Sequence, residues 1–194
     1  MTSAKKFDPA KRKKLNNPER LRWIPPHLVW ELVSSADGTL YLDIGAGTGY
    51  LTREIAGYAG PDVKVVALDI EPIMVSEMKK TLPKDGIVYP ELMDRDELSF
   101  TDSSVDGIWL IALYHELTPP GPLLAEIRRV LRSGCKLVII DWEKDSKACE
   151  QGPPLDHRVS TSTVIRQLKS AGFLDVKEVE GDFNTIFQLL PAAE

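Results

Sequence analysis

The 194-residue sequence is poor in the residues that build metal sites and crosslinks. It has two cysteines, Cys135 and Cys149, and three histidines, His27, His115 and His157. Two thiols make no disulfide framework, and these lack the paired spacing of a zinc site. The histidines lie far apart along the chain, so no metal is expected. No apolar run approaches the roughly 18 residues that span a bilayer. The basic N-terminus lacks the apolar stretch of a secretory signal. A reduced, cytoplasmic protein is therefore expected. Internal repeats, low-complexity segments and nucleic-acid-binding motifs are absent too, so nucleic acid is not an expected partner. The length fits about one domain.

Positive charge is unevenly distributed along the chain. Residues 1–22 carry eight basic side chains, Lys5, Lys6, Lys11, Arg12, Lys13, Lys14, Arg20 and Arg22, against Asp8 and Glu19. The net charge is −5, so a segment of +6 precedes a body of −11. Such an arm can hold an anionic substrate, bind RNA, or fold back onto its own acidic body. Folding back is the simplest reading.

What is present is an alternation of strand-like and helix-like segments. "LNNPERLRWIPPHLVWELVSSADG" reads as two short helical pieces, with Pro18 and Pro26 in first turns and Gly38 as the stop. Leu40 to Ile44 is an apolar strand. Gly49 to Tyr58 has helical spacing, Val63 to Asp69 is a second strand, and Pro72 opens another helix. "GIVYPEL" is a weaker third strand and Val105 to Leu113 a fourth. "GPLLAEIRRVLRSG" is an amphipathic helix ending at Gly134, and Cys135 to Asp141 is a fifth strand. A helix over about 162–171 precedes "FLDVKEVE" and "TIFQLLP", separated only by "GDFN". So short a connection makes these two strands antiparallel neighbours. The class is α/β, a Rossmann-like, doubly wound, mostly parallel sheet with helices on both faces. Residues 1–37 are expected to form a basic helical arm or lid, and 38–194 the main domain.

In such sheets ligands bind beyond the carboxyl ends of the strands. "YLDIGAGTGYLTREIA" lies there, with Asp43, Gly45, Gly47 and Gly49 at alternate positions. The dinucleotide fingerprint G-x-G-x-x-G requires glycine at position 50, which is Tyr50. No Lys-Ser/Thr pair follows, so this is not a Walker loop either. An adjacent acid, Asp43, would repel phosphate. The pattern suggests a ligand with a nucleoside but no phosphate. Asp69 ends the second strand, where a carboxylate can accept from both ribose hydroxyls. In "MDRDELSF", Asp94 can accept from an adenine amino group and the Arg95 main-chain N–H can donate to a ring nitrogen. The plainer readings are that Asp43 braces the turn, Asp69 caps the next helix and Asp94 is a solvated loop acid.

With these residues in this order, the chain resembles the class I S-adenosylmethionine-dependent methyltransferases. It is most similar to the type 11 branch, which includes the ubiquinone/menaquinone C-methyltransferases. The resemblance covers roughly residues 38–142, with a plausible tail to 190. "LDIGAGTGYL" matches the glycine-rich motif, "ALDIEPIMV" the ribose motif, and "DRDELSFTDSSVDGIWL" the adenine segment. Ser99 stands where proline is usual and Cys135 where glycine is usual. The resemblance implies seven strands with the last antiparallel, and S-adenosyl-L-methionine as cofactor. Its implied contacts are Asp43, Gly45, Ala46, Gly47, Gly49, Asp69, Ile70, Asp94, Arg95 and Ile111. The implied reaction is methyl transfer to a small-molecule acceptor.

Methyl transfer from a sulfonium needs in-line positioning and, for a weak nucleophile, a base. "IALYHEL" follows the fourth strand and presents Tyr114, His115 and Glu116. His115 titrates near neutral pH and is the candidate base; it can equally be a residue that fixes the loop. Asp141 and Trp142 end the fifth strand. A long loop follows, and loops of this length usually carry function. His157 and Arg158 at its end are candidates to reach the pocket. Cys149 in the loop makes thiol chemistry a minor alternative. Phe7, Trp23 and the arm's cations point to an anionic or aromatic acceptor. Two other classes compete with this reading. One is a nicotinamide-dependent oxidoreductase, disfavoured by Tyr50 and Asp43. The other is a non-catalytic cofactor-binding protein acting through its basic arm.

Overall fold

The computed structural model describes residues 7–84, 86–144, 151–180 and 184–191. Lys5, Lys6 and Cys149 lie outside the described residues. The strands are β1 (Leu40–Ile44), β2 (Lys64–Asp69), β3 (Val88–Leu92), β4 (Val105–Ile111), β5 (Leu131–Trp142), β6 (Phe173–Glu180) and β7 (Asn184–Pro191). The α-helices are α1 (Arg20–Trp23), α2 (Pro26–Val33), α3 (Tyr50–Ala56), α4 (Pro72–Thr81), α5 (Gly121–Val130) and α6 (Thr161–Ser170). A 3-10 helix, Pro9–Asn16, precedes α1. It begins at Asp8, whose carboxylate accepts from Ala10 N at 3.0 Å.

The sheet runs in the order β3-β2-β1-β4-β5-β7-β6. Every neighbouring pair is parallel except the two that involve β7. Seven strands with an antiparallel last strand is the expected class. The central strands are apolar on both sides, and helices cover both faces. One face packs Leu42, Ile44, Val66, Leu68, Ile108 and Leu110 against Leu123 and Ile127 of α5 and Val164 and Leu168 of α6. The other packs Tyr41, Val65, Trp109 and Val138 against Val29 and Val33 of α2 and Leu51 and Ile55 of α3. Each fully buried Leu, Ile or Val stabilises by about 1.5–3 kcal/mol. Strand order reverses between β1 and β4, so a crevice opens beyond their carboxyl ends.

Two boundaries differ from the sequence reading. The helix expected to reach Gly134 stops at Val130, and Leu131 already pairs with Val105 in the sheet. The Ser103 and Ser104 N–H groups donate to Arg129 O and Val130 O, both at 2.9 Å. These tertiary bonds outcompete another helical turn. Gly38 is not the stop of α2, which ends at Val33. A Cβ at Gly38 would lie 2.1 Å from the Tyr41 hydroxyl. That hydroxyl accepts from Ser35 N at 3.1 Å, so glycine makes room for it.

Gly107 has a related role in mid-strand β4. A Cβ there would lie 2.7 Å from Tyr41 Cδ1 and 2.8 Å from Val33 Cγ2. Gly107→Ala is expected to overpack the α2–sheet contact and to cost about 1–3 kcal/mol. Urea unfolding should show a lower midpoint with an unchanged m-value; an unchanged midpoint would mean that α2 is not tightly seated.

Candidate functional site

The crevice is built around the turn that follows β1. Gly45 and Gly47 take φ of +75° and +59°, a region where side chains are strained. A Cβ at Gly45 would stand 2.7 Å from Leu113 Cδ2, and one at Gly47 2.9 Å from Leu15 Cδ1. Four N–H groups of this turn are occupied internally. Those of Gly45 and Ala46 both donate to Leu68 O at 2.9 Å. Gly47 N donates to Asp69 Oδ2 at 2.8 Å, and Gly49 N to Ala46 O at 3.0 Å. A phosphate cradle needs N–H groups aimed at its ligand. This turn instead presents bare backbone between carboxylates.

Asp43 and Asp69 are both buried. Burial pushes the Asp43 carboxyl up to about 6, with the Asp69 charge adding to the shift. The Thr52 hydroxyl, donating at 2.6 Å, and the more distant Arg20 charge oppose it. The Trp109 indole, opposite Asp43 in the β1–β4 register, eases the charge without completing a well-aligned hydrogen bond. Burial also raises the Asp69 carboxyl, held back by the N–H groups of Glu71, at 2.9 Å, and Gly47. Asp69 thus ties the glycine turn to the start of α4.

Around this turn lies a cleft of about 760 Å³, lined by the ends of β1, β2, β4 and β5, by Met93, Arg95 and Asp96, by residues 151–154 and His157, and by the N-terminal segment. Asp43, Gly45, Ala46, Gly47, Asp69, Ile70, Arg95 and Ile111 all line it, as do His115 and His157. Three expected residues do not. Gly49 takes φ +73° at the start of α3, where a Cβ would stand 3.0 Å from Met78 Cγ. Its bareness serves the packing of α3 on α4. Asp94 is exposed, and its carboxylate accepts from Arg95 N at 2.7 Å. That turn removes the Arg95 N–H from the donors expected for an adenine ring, and Asp96 is the acid that lines the cleft. Tyr114 is buried under the site, where its hydroxyl donates to Gln167 Oε1 at 3.0 Å. Burial first, then the charge of Asp141, pushes its phenol far above the usual range. It packs in the core beneath the cleft.

His115 is presented by a tight turn. Ala112 takes φ +55° just after β4, and Tyr114–Glu116 form a single 3-10 turn. Asp141, at the end of β5, accepts from His115 N at 2.9 Å and stands 2.7 Å from His115 Nδ1. Glu116 Oε1 lies 3.8 Å from Nε2. Burial alone would lower the imidazole pKa, but the bond and charge of Asp141, with Glu116, raise it above the ordinary value. Arg158, expected near the pocket, instead fastens the 151–157 loop. Its guanidinium donates to Pro153 O at 2.9 Å, to Glu143 O at 2.8 Å and to Gln151 O, and lies over the Trp142 ring.

The N-terminal segment lies against the site, which periodicity did not reveal. Asn16 Oδ1 accepts from the Thr48 hydroxyl at 2.5 Å, and Arg12 pairs with Glu77 of α4 at 3.6 Å. Arg20 lines the cleft and donates to Leu15 O at 2.6 Å. The sequence places them in an arm expected to fold back or act as a lid, without showing which of its residues meet the cleft. Among the described residues, no cluster of His, Cys, Asp and Glu could hold a metal, and no helix is long and apolar enough to cross a membrane.

The family profile described as a methyltransferase domain matches residues 42–139, from mid-β1 through mid-β5. The chain belongs to that family. It is 32% identical over 124 residues to the ubiquinone/menaquinone biosynthesis C-methyltransferase UbiE of Burkholderia cenocepacia, covering 61% of this chain and 51% of that protein. The chain thus spans about half the length of the curated relatives it matches. A crystal structure of a SAM-dependent methyltransferase from Aquifex aeolicus is 31% identical, with a TM-score of 0.88, covering 96% of this chain and all of that one. A Haemonchus contortus N-methyltransferase, solved with phosphomonomethylethanolamine and S-adenosylhomocysteine, shares the fold at 15% identity and a TM-score of 0.71, covering 88% of this chain and 53% of its own. The cofactor of the family is S-adenosylmethionine, and the bare turn between two carboxylates fits it.

The raised carboxyl of Asp43 has a consequence for stability. A carboxyl whose folded pKa lies above its unfolded one stabilises fully below about pH 4 and loses that contribution as pH rises through about 6. Asp43→Asn should therefore match the ligand-free wild type near pH 4 and exceed it by about 3 kcal/mol near pH 7.5. Denaturant unfolding across pH 4–8 measures this; a pH-independent difference would show that Asp43 ionises normally.

Proposed function

We propose that this protein transfers a methyl group from S-adenosylmethionine to a small-molecule acceptor. The observation that carries the reading is the glycine turn with four internally bonded N–H groups, flanked by buried Asp43 and Asp69. When bound, the cofactor supplies an electrophilic methyl on a cationic sulfur with a neutral thioether as leaving group. Gly45, Ala46 and Gly47 leave space for its amino-acid end. The two Asp69 oxygens each retain a lone pair for ribose hydroxyls. Ile70 and Ile111 supply apolar walls, and Arg95 with Asp96 borders the adenine end.

The acceptor enters over the ends of β4 and β5. Asp141 holds His115 through Nδ1, which leaves Nε2 as the nitrogen that can take a proton from the acceptor. Asp141 also favours the protonated imidazole that this transfer creates. His157, Trp23, Trp142, Lys11 and Lys14 line the same cleft and favour an aromatic or anionic acceptor. Trp23 and Trp142 stand edge-on with ring centroids 6.3 Å apart. The N-terminal segment, residues 1–37, acts as a lid through Leu15 and Asn16, and residues 38–194 form the catalytic domain.

Calorimetry tests the cofactor assignment. S-Adenosylhomocysteine should bind, and Asp69→Ala should weaken it at least tenfold; no binding at millimolar ligand would sink the proposal. Saturable enhancement of NADH fluorescence that S-adenosylhomocysteine does not compete would favour an oxidoreductase instead. Turnover can be read with radiolabelled methyl donor on panels of phenols, thiols and amines. His115→Asn should lower kcat by roughly 10²–10⁴ while leaving S-adenosylhomocysteine affinity within about twofold. Tight cofactor binding with no turnover on any panel would favour the non-catalytic reading.

A further inference from the structure

The 3-10 helix Pro9–Asn16 is eight residues long. Helices of this kind rarely run past three or four residues, because their hydrogen bonds are poorly aligned. This one buries none of its residues, so no apolar face holds it in that form. It is held at points instead. Asp8 caps its start, Arg12 pairs with Glu77 of α4, and Asn16 accepts from Thr48.

A 3-10 helix has three residues per turn, so side chains at i and i+3 eclipse. An α-helix would turn every third residue by about 60° and break the row. Lys11 and Lys14 form such an eclipsed pair, and Asp8 before them and Asn17 after them continue the spacing. All four line the cleft. Arg12 is engaged with α4, and Lys13 does not line the cleft. Asp8 is the one acid of the row. Its carboxylate caps Ala10 N at 3.0 Å, and its exposed pair with Lys11 is long, at 3.8 Å. Such a pair contributes little. Among the described residues no carboxylate comes within 4 Å of the Lys14 ammonium. Two lysines thus stand one turn apart, about 6 Å along the axis, on one rim of the cleft. Like charges so placed repel unless an anion lies between them.

The same segment continues to Trp23, which stands edge-on to Trp142 on the acceptor side. The methyl donor carries a net positive charge, so a row of lysines gains nothing from it as a whole. An anionic acceptor gains twice, from the lysines and from the sulfonium that it approaches. We propose that the eclipsed Lys11–Lys14 pair is the specificity element for the methyl acceptor, and that the acceptor carries an oxyanion, a carboxylate or phosphate, which the two ammonium groups meet at the rim. The proposal rests on the methyl-transfer reading and narrows its acceptor to an anionic one. It also accounts for the length of the 3-10 helix, since both lysines face the cleft only while the period stays at three.

Isosteric probes test this on full-length protein saturated with S-adenosylhomocysteine. Benzoate and benzamide share a shape and differ in charge, and phenyl phosphate carries a larger oxyanion. Calorimetry at low ionic strength should show both anions binding at least about tenfold tighter than benzamide, with the gap closing as salt is added. Lys11→Met and Lys14→Met should each weaken the anions about three- to tenfold, leaving benzamide and S-adenosylhomocysteine within about twofold of wild type. Lys14→Arg should keep the preference. Lys13→Met removes the same charge from the same helix but off the row, and should change anion affinity by less than about twofold. An equal loss in Lys13→Met would reduce the effect to net charge and overturn the proposal. So would equal affinity for benzoate and benzamide, or no saturable binding of either anion at about 20 mM. Wild-type protein that binds no S-adenosylhomocysteine would overturn the cofactor reading, and the acceptor assignment with it. Loss of charge discrimination with S-adenosylhomocysteine bound would overturn this proposal alone.

Discussion

The hydrogen bond from Gly47 N to Asp69 Oδ2, 2.8 Å long, organises the site. It joins the turn after β1 to the end of β2, two adjacent parallel strands whose own ladder stops just short of it. With the turn drawn toward Asp69, Gly45 and Gly47 must adopt left-handed backbone, and Leu113 and Leu15 close over the space that side chains would fill. The same carboxylate accepts from Glu71 N and so sets the start of α4. One side chain thereby couples two strand ends, a helix and, through Leu15, the N-terminal segment. Four of the turn's N–H groups are spent on the protein, so the carboxylates of Asp43 and Asp69 and the bare backbone dominate this part of the cleft.

That arrangement concentrates charge where water is excluded. Asp43, Asp69, His115 and Asp141 are all buried around one cleft. At Asp43 and Asp69 burial opposes ionisation and lowers the stability of the ligand-free protein near neutral pH. The opposing contributions differ from group to group. Thr52 bonds to Asp43, two backbone N–H groups bond to Asp69, and His115 and Asp141 compensate each other. A cationic ligand near Asp43 would relieve part of the cost, so binding and stability are coupled at this end of the cleft. At the other end, the His115–Asp141 pair is complete without any ligand. It is held by the left-handed turn at Ala112 and the short 3-10 turn that follows.

Much of this was legible from local chemistry. Buried parallel strands write continuous apolar runs, and the four-residue "GDFN" connection could only join antiparallel neighbours. Asp43, Asp69, Gly45 and Gly47 lie at strand ends whose order of appearance already implies a crevice. The residues that the structure places off the cleft share a cause. Gly49, Asp94 and Tyr114 sit one or two residues from positions that line the cleft, and a backbone that turns sharply sends adjacent side chains in different directions. Gly49 faces α4, Asp94 closes its own turn and Tyr114 points into the core. Within the arm expected to fold back, Arg20, Leu15 and Asn16 were not singled out, because a run of lysines and arginines does not show which of its residues face the cleft.

Sequence alone sufficed for the sheet class, the strand at whose end the cleft opens, and the departure from phosphate-binding loops. These follow from hydrophobic periodicity, glycine spacing and the identity of one residue, Tyr50, all of which act within a few positions of chain. The tertiary structure alone decided which donors of the turn are free, which of two neighbouring acids faces the cleft, and that Asp141 holds His115. It also decided that the basic segment forms a wall of the site. Each depends on groups brought together from separate strands and on side-chain direction at sharp turns, and no periodicity along the chain encodes those distances.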